Sequence, residues 1–198
     1  MISISIRHNF PAVAKQLDQL SRDVGDVAMR RALNKTIVQG ETAMARAISK
    51  EFRVKVGEAK ARLQVKRATA KGVLQLQVSL SATKAVKGRG MNLIHFAMAA
   101  PKRTRKGTLR QMKFKIKRAG GAKTIKGAFV GTNRKTGGTA VFIREGKTRM
   151  PIKTLTTIDI PQMFNTKRIN KAVREVMLDK FSANFQREVR VVLKGFAR

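Results

Sequence analysis

Cysteine, tryptophan and tyrosine are absent from the chain, and histidine occurs only at positions 8 and 95. No disulfide, thiolate zinc site or cysteine nucleophile is therefore available, and a reducing compartment is compatible with the composition. Ten phenylalanines are the only aromatic residues, so no interfacial aromatic belt is expected and phenylalanine is assigned to the core. Acids are scarce too: 11 Asp+Glu stand against 44 Lys+Arg in 198 residues, a formal charge of +33 with neutral histidines. An excess of that size predicts an anionic partner. Long apolar runs are also missing. Residues 1–10 alternate Ile with Ser, unlike a signal peptide, and the stretch 91–100 is broken by Asn92 and His95 and too short to span a bilayer. A soluble or peripheral protein that engages no membrane is expected.

What is present argues for a folded chain, because a hydrophobic fraction of 42% far exceeds that of a disordered basic tail. The acids divide the sequence into three. Six lie between Asp18 and Glu58, five between Glu145 and Glu188, and residues 59–144 hold 22 Lys+Arg with no acid at all. Ordinary solubilising surfaces intersperse both signs, so that middle stretch predicts anion contact rather than a solvated face.

Hydrophobic periodicity supplies the elements. Ile2, Ile4 and Ile6 alternate with serine as in a half-buried strand. Asn9 is placed to cap a helix carrying Val13, Leu17, Leu20 and Val24; Gly25 is expected to break it, and Asp26 to cap a longer one running to Phe52. From Val73 the period becomes two, with Leu74, Leu76, Val78 and Leu80 on one face. Met112, Phe114 and Ile116 alternate with Lys113, Lys115 and Lys117, and residues 140–143 form a third short strand-like run. Basic, glycine-containing loops are expected at 83–90, 101–107, 118–127 and 131–138. An extended segment then runs from Pro151 to Pro161, after which Asn165 or Thr166 caps a terminal helix ended by Gly195. Its stripe is Ile169, Val173, Val176, Met177, Phe181, Phe185, Val189, Val192 and Phe196. The predicted class is α+β: a small antiparallel sheet packed by N-terminal helices and a long C-terminal helix.

Catalytic constellations are hard to assemble from these residues. His95 sits in the apolar, strand-like run Asn92-Leu93-Ile94-His95-Phe96 and reads as a core or interface histidine. No carboxylate lies near either histidine in sequence, so neither a catalytic triad nor a metal site is expected, and no cofactor. Gly88-Arg89-Gly90 lacks the third glycine of a dinucleotide loop, and residues 131–138 lack a Gly-Lys-Ser/Thr ending. The stretch 126–131 echoes an RNA-recognition strand motif, but two of three base-stacking positions are empty. What remains is charge. Lys113, Lys115 and Lys117 on one strand face stand about 7 Å apart, near the phosphate repeat of an extended nucleic-acid strand. Lys102, Arg103, Arg105, Lys106, Lys113, Lys115, Lys117 and Arg118 are the candidate contacts to nucleic acid or to an acidic protein.

A succession of motifs adds a second line of reasoning. Ala61-Arg62-Leu63, Lys66-Arg67-Ala68-Thr69, Leu93-Ile94-His95-Phe96, Lys126-Gly127-Ala128-Phe129-Val130, Gly138 through Arg144, and Arg149-Met150-Pro151-Ile152-Lys153 follow one another in an order and spacing that resembles the minor tail protein Z family of tailed bacteriophages and prophages. The Gly-Ala-Phe step, the Val-Phe-x-Arg strand and the Arg-x-Pro-Ile step are its most specific parts. The resemblance implies a single tail-completion domain over residues 1–198, with basic loops within 81–138. It also implies a non-enzymatic virion component, assembled in the host cytoplasm and added at the head-proximal end of the tail. Its implied partners are further copies of itself in a hexameric ring, neighbouring tail and head-to-tail connector proteins, and double-stranded DNA in the lumen. The other reading open to so basic a chain is an independent, sequence-nonspecific nucleic-acid-binding protein.

Overall fold

A computed structural model describes residues 3–6, 22–69, 77–83, 90–98, 112–132 and 137–196. Two helices of 30 residues, α1 (Arg22–Glu51) and α4 (Lys167–Phe196), dominate it; each is about 45 Å long at 1.5 Å per residue. Buried positions on α1 follow one helical face: Val24, Ala28, Ala32, Leu33, Ile37, Met44 and Ile48. On α4 the step is four through Ile169, Val173, Met177, Phe181 and Phe185, and the stripe continues to Val192; the Phe196 side chain lies outside the described residues. These two stripes face each other. Gly40 marks their closest approach, since a Cβ there would stand 2.6 Å from the sulfur of Met177. Phe181 and Phe185 stack beside it with ring centroids 6.1 Å apart.

The expected break at Gly25 does not occur: α1 passes through Gly25 and Asp26 without interruption. Gly25 is buried, and the packing of Val24, Ala28 and Met29 around it outweighs the penalty of about 1 kcal/mol for an interior glycine. The proposed Asn9 cap and the positions Val13, Leu17 and Leu20 lie outside the described residues. On α4, Val176 is 40% exposed rather than part of the stripe, because a residue adjacent to Met177 is turned 100° away from it. The places it was expected to share are held by Asn184 and Glu188, both buried. Thr166 supplies the cap carbonyl, accepting from Asn170 N–H (3.0 Å), and Gly195 falls within the final turn.

Among the described residues, three small antiparallel sheets complete the fold. In the first, β3 (Val78–Ala82) lies between β1 (Ser3–Ile6) and β2 (Leu63–Lys66), with Leu80 opposite both Ile4 and Val65. Val78 and Leu80 are fully buried, as their alternation predicts; Leu74 and Leu76 lie outside the described residues. The second sheet pairs only β4 (Lys113–Phe114) with β5 (Lys123–Thr124). The third joins β6 (Phe129–Thr132), β7 (Thr139–Arg144) and β8 (Ile152–Thr154) in that order. Short elements link these layers: α2 (Val56–Lys60), a 3-10 turn (Leu93–Phe96) and α3 (Ile160–Phe164). The last starts at the end of the segment expected to be extended, at a capping box in which Asp159 Oδ1 accepts from Ile160 N–H (2.8 Å) and Gln162 Oε1 accepts from Asp159 N–H (2.9 Å). Pro161 fits its first turn, where no helical N–H is needed.

The segment leading into the 3-10 turn is fastened on two sides. Thr157 N–H donates to Met91 O (2.8 Å) and Leu93 N–H to Leu155 O (3.0 Å). Asn92 Oδ1 accepts from both Ile94 and Val141 N–H, each at 2.9 Å, so one amide caps the turn and holds β7 against it. Gly90 completes this contact, because a Cβ there would lie 1.8 Å from Thr157 O.

Two stability outcomes follow from this packing. Phe185 is fully buried, so Phe185→Ala is expected to cost about 3–5 kcal/mol; the exposed Arg187→Ala stays within about 0.5 kcal/mol, measured side by side in urea. Gly90→Ala has no room unless residues 90 and 157 separate. It is expected to lower the unfolding midpoint although alanine is elsewhere the milder choice, whereas Gly146→Ala, which meets nothing within 4 Å, leaves the midpoint in place.

Candidate anion-contact surface

Residues 112–118 form an extended ribbon that changes partner halfway. Met98 N–H donates to Lys113 O and Lys115 N–H to Phe96 O, both at 2.9 Å, which ties the first half to the 3-10 turn. Beyond that point Arg53 N–H donates to Ile116 O (2.8 Å) and Arg118 N–H to Glu51 O (2.9 Å), so the second half docks on the end of α1. Met112 and Phe114 are buried on one face; Lys113 and Lys117 are exposed and Lys115 half-buried on the other. The period of two was legible, although only Lys113–Phe114 counts as a paired strand.

Four of the eight candidate contacts, Lys102, Arg103, Arg105 and Lys106, lie outside the described residues. The other four share the ribbon but differ in what holds them. The Lys117 ammonium lies 5.9 Å from the centroid of the Phe52 ring. Arg118 Nε donates to Ser49 O (2.7 Å), closing one of the last carbonyls of α1 where a cation also opposes the negative end of the helix dipole. Lys113 has neither constraint recorded among these contacts. The fold also brings in Lys50 and Arg53, which the charge partition at residue 59 had set aside with the acidic flank. Their position at the end of a helical pattern was visible; that the ribbon would dock there was not. Lys123, exposed in β5 beside the ribbon, is a further cation of the same hairpin.

Among the described residues five acids form ion pairs within the fold. Glu51 pairs with Arg168 (3.0 Å), Glu41 with Lys60 (3.8 Å), Asp159 with Arg62 (2.9 Å), and Glu188 with Lys35. Glu58 takes Arg62 at 3.8 Å and His95 Nδ1 at 2.9 Å. Of the two places expected for His95, core or interface, the core is excluded: His95 is exposed and lies on a 3-10 turn rather than a strand, facing a carboxylate 37 residues earlier in sequence. Pairs of this exposed kind contribute little stability. Their consequence is for the surface: three carboxylates, Glu41, Glu58 and Asp159, reach into the stretch 59–144 through Lys60 and Arg62, against its 22 Lys+Arg. Among the described residues no group of three or more His, Asp or Glu is placed to hold a metal ion, and no helix is long and apolar enough to cross a membrane.

The motifs of the most specific stretch turn out to be one piece of structure. Gly-Ala-Phe leads into β6, Val-Phe-Ile-Arg is β7 and Arg-Met-Pro-Ile-Lys leads into β8. Phe129 faces Phe142 with ring centroids 6.0 Å apart, and the Arg144 guanidinium covers the Phe129 ring at 5.3 Å. A mixed α+β protein built on a long helix pair, with a three-stranded sheet at its side and a basic surface, is the class these features define. The chain belongs to the family described as prophage minor tail protein Z (GPZ), which matches residues 11–197. It is accordingly a structural protein of the phage tail, and the resemblance read from its motifs is correct. No curated protein and no solved structure matches the chain.

The different attachments of the ribbon cations lead to a measurable contrast. Arg118→Ala removes a bond to α1 and is expected to lower the denaturant midpoint, while Lys113→Ala leaves it unchanged. Equal midpoints for both variants would show that the Arg118–Ser49 contact carries no stability.

Proposed function

We propose that the protein completes the head-proximal end of the tail as a non-enzymatic ring of six copies, assembled in the host cytoplasm and set between tail and connector proteins. Its basic ribbon and loops turn toward an anion there. The observation that carries this reading is the imbalance of the stretch 59–144, whose 22 Lys+Arg include no acid among them and meet the carboxylates of Glu41, Glu58 and Asp159 from its flanks. A ring repeats a charge of +33 at each subunit, and a closed basic surface repels itself unless anions are near. Charges on an outer rim are screened within about 8 Å at physiological salt, whereas cations converging on a lumen favour a polyanion passing through it. Double-stranded DNA satisfies that requirement.

Subunit contacts are assigned to the segment around Pro151. Met150 is 63% exposed and Ile152 39% exposed, at the edge strand of the third sheet, where a neighbour's strand or apolar surface can add. If Lys102, Arg103, Arg105, Lys106, Lys113, Lys115, Lys117 and Arg118 together neutralise six to ten phosphates, DNA affinity is expected to fall by about 10³ to 10⁵ between 50 and 200 mM salt, with little dependence on sequence. Charge reversal at Lys102, Arg103, Arg105 and Lys106 is then expected to leave folding intact and reduce infectious particles. Electron microscopy of intact particles tests the location. Density away from the neck or tail end overturns the proposal, and burial of those cations against an acidic neighbour, with DNA affinity unchanged by the reversal, removes DNA as their partner.

A further inference from the structure

A second surface, away from the ribbon, has a different composition. Between α1 and α4 runs an open groove of about 740 Å³ with Val38 and Val191 among its lining residues. Val191 is 50% exposed, an unusual position for a valine flanking a packed stripe. Arg31 and Lys35 on α1 stand along one side, and Arg67 closes another. Arg67 is held there by a two-way clamp on the next residue: Asn34 Nδ2 donates to Ala68 O (3.2 Å) and Ala68 N–H donates to Asn34 Oδ1 (2.8 Å). The single acid in the lining, Glu188, is buried and paired with Lys35. An adjoining depression shares Val191 and continues along α4 from Ala183 to Lys194, bordered by Arg187 and Arg190.

We infer that this groove is a docking site for an acidic amphipathic helix of a neighbouring protein. The two depressions together follow α4 from residue 183 to 194, about 16 Å of helix, which matches three turns of a partner lying alongside. The exposed Val191 and the half-buried Val38 take that helix's apolar residues, and the cations on either side take its carboxylates. Charge complementarity of this kind orients the partner and speeds its encounter, while the apolar centre holds it. A phosphate backbone would use the cations and leave the valines without a role. The site is also distant from the ribbon: Lys35 and Glu51 lie 16 residues apart on α1, about 24 Å along its axis. It does not depend on the ring or on DNA in a lumen.

The test uses the full chain and fluorescence anisotropy of labelled peptides. One helical peptide of about 16 residues carries leucines at i, i+4 spacing flanked by glutamates; a second has serine for each leucine; duplex DNA is the competitor. The leucine peptide is expected to bind, and serine replacement and Val191→Asp are each expected to weaken it at least about tenfold, the scale of losing one anchor in a small interface. Arg67→Glu should weaken it as well, whereas Lys113→Glu leaves it unchanged. Circular dichroism confirms that Val191→Asp folds, as its exposure implies. Equal binding of the two peptides, with Val191→Asp neutral and DNA competing, overturns the docking site in favour of a general polyanion surface. Loss of self-association in Val191→Asp without any change in peptide binding overturns it in favour of a contact between copies of this chain.

Discussion

Everything else in the molecule hangs from the antiparallel pairing of α1 with α4. The contacts run in one consistent direction: Lys35 with Glu188, Thr36 with Asn184, Gly40 with Met177, and Glu51 with Arg168. Hydrophobic stripes give the pair its affinity but are poor at fixing its register, since a slide of one turn would still bury apolar surface. The polar residues supply what the stripes lack. Asn184 Nδ2 donates to Thr36 Oγ1 and to Gln39 Oε1, each at 3.0 Å, and a displaced helix would leave that amide and the Glu188 carboxylate buried without partners, at a cost of several kcal/mol. Gly40 adds a steric condition, because the Met177 side chain occupies the space of its missing Cβ.

Charge is distributed by the same economy. Acidic residues sit where they connect elements: Asp159 caps α3 while receiving Arg62 Nη1 at 2.9 Å, and the Arg62 carbonyl accepts from Thr83 N–H at 2.8 Å. One arginine thereby links the turn after α2, the end of β3 and the start of α3. Basic residues far outnumber such duties, and the remainder defines the outside of the protein. For a tail component this arrangement gives paired charges an internal role and leaves cations such as Lys113 and Lys117 exposed.

Long, regular features were legible in the sequence, and short cooperative ones were not. The steps of four from Ile169 to Phe185 marked α4, the alternation of Val78 and Leu80 marked β3, and residues 140–143 marked β7, because each pattern repeats often enough to be recognised. The motif succession pointed to the family since it encodes the three strands of one sheet. By contrast β2 has only Leu63 and Val65 to announce it, and α3 is five residues held by a cap and by Arg62, 97 residues earlier. Helix through Gly25 was missed because tertiary packing overrides local propensity. The candidate surface was half readable: alternation placed Lys113, Lys115 and Lys117 correctly, but Lys50 and Arg53 joined them through backbone bonds that no linear pattern records. The pairing of His95 was hidden for the same reason, its partner Glu58 being near only in the folded chain.

The head-to-tail matching of α1 and α4 also limits how the two may diverge in length. Because facing positions run in order from residue 35 against 188 to residue 51 against 168, four residues inserted into either helix alone would advance its stripe by about 6 Å and misalign every contact beyond the insertion. Only paired insertions, one in each helix and at facing positions, preserve the fit. The helix pair is in this sense a fixed-length strut, in which a change of length in one helix requires the same change in the other.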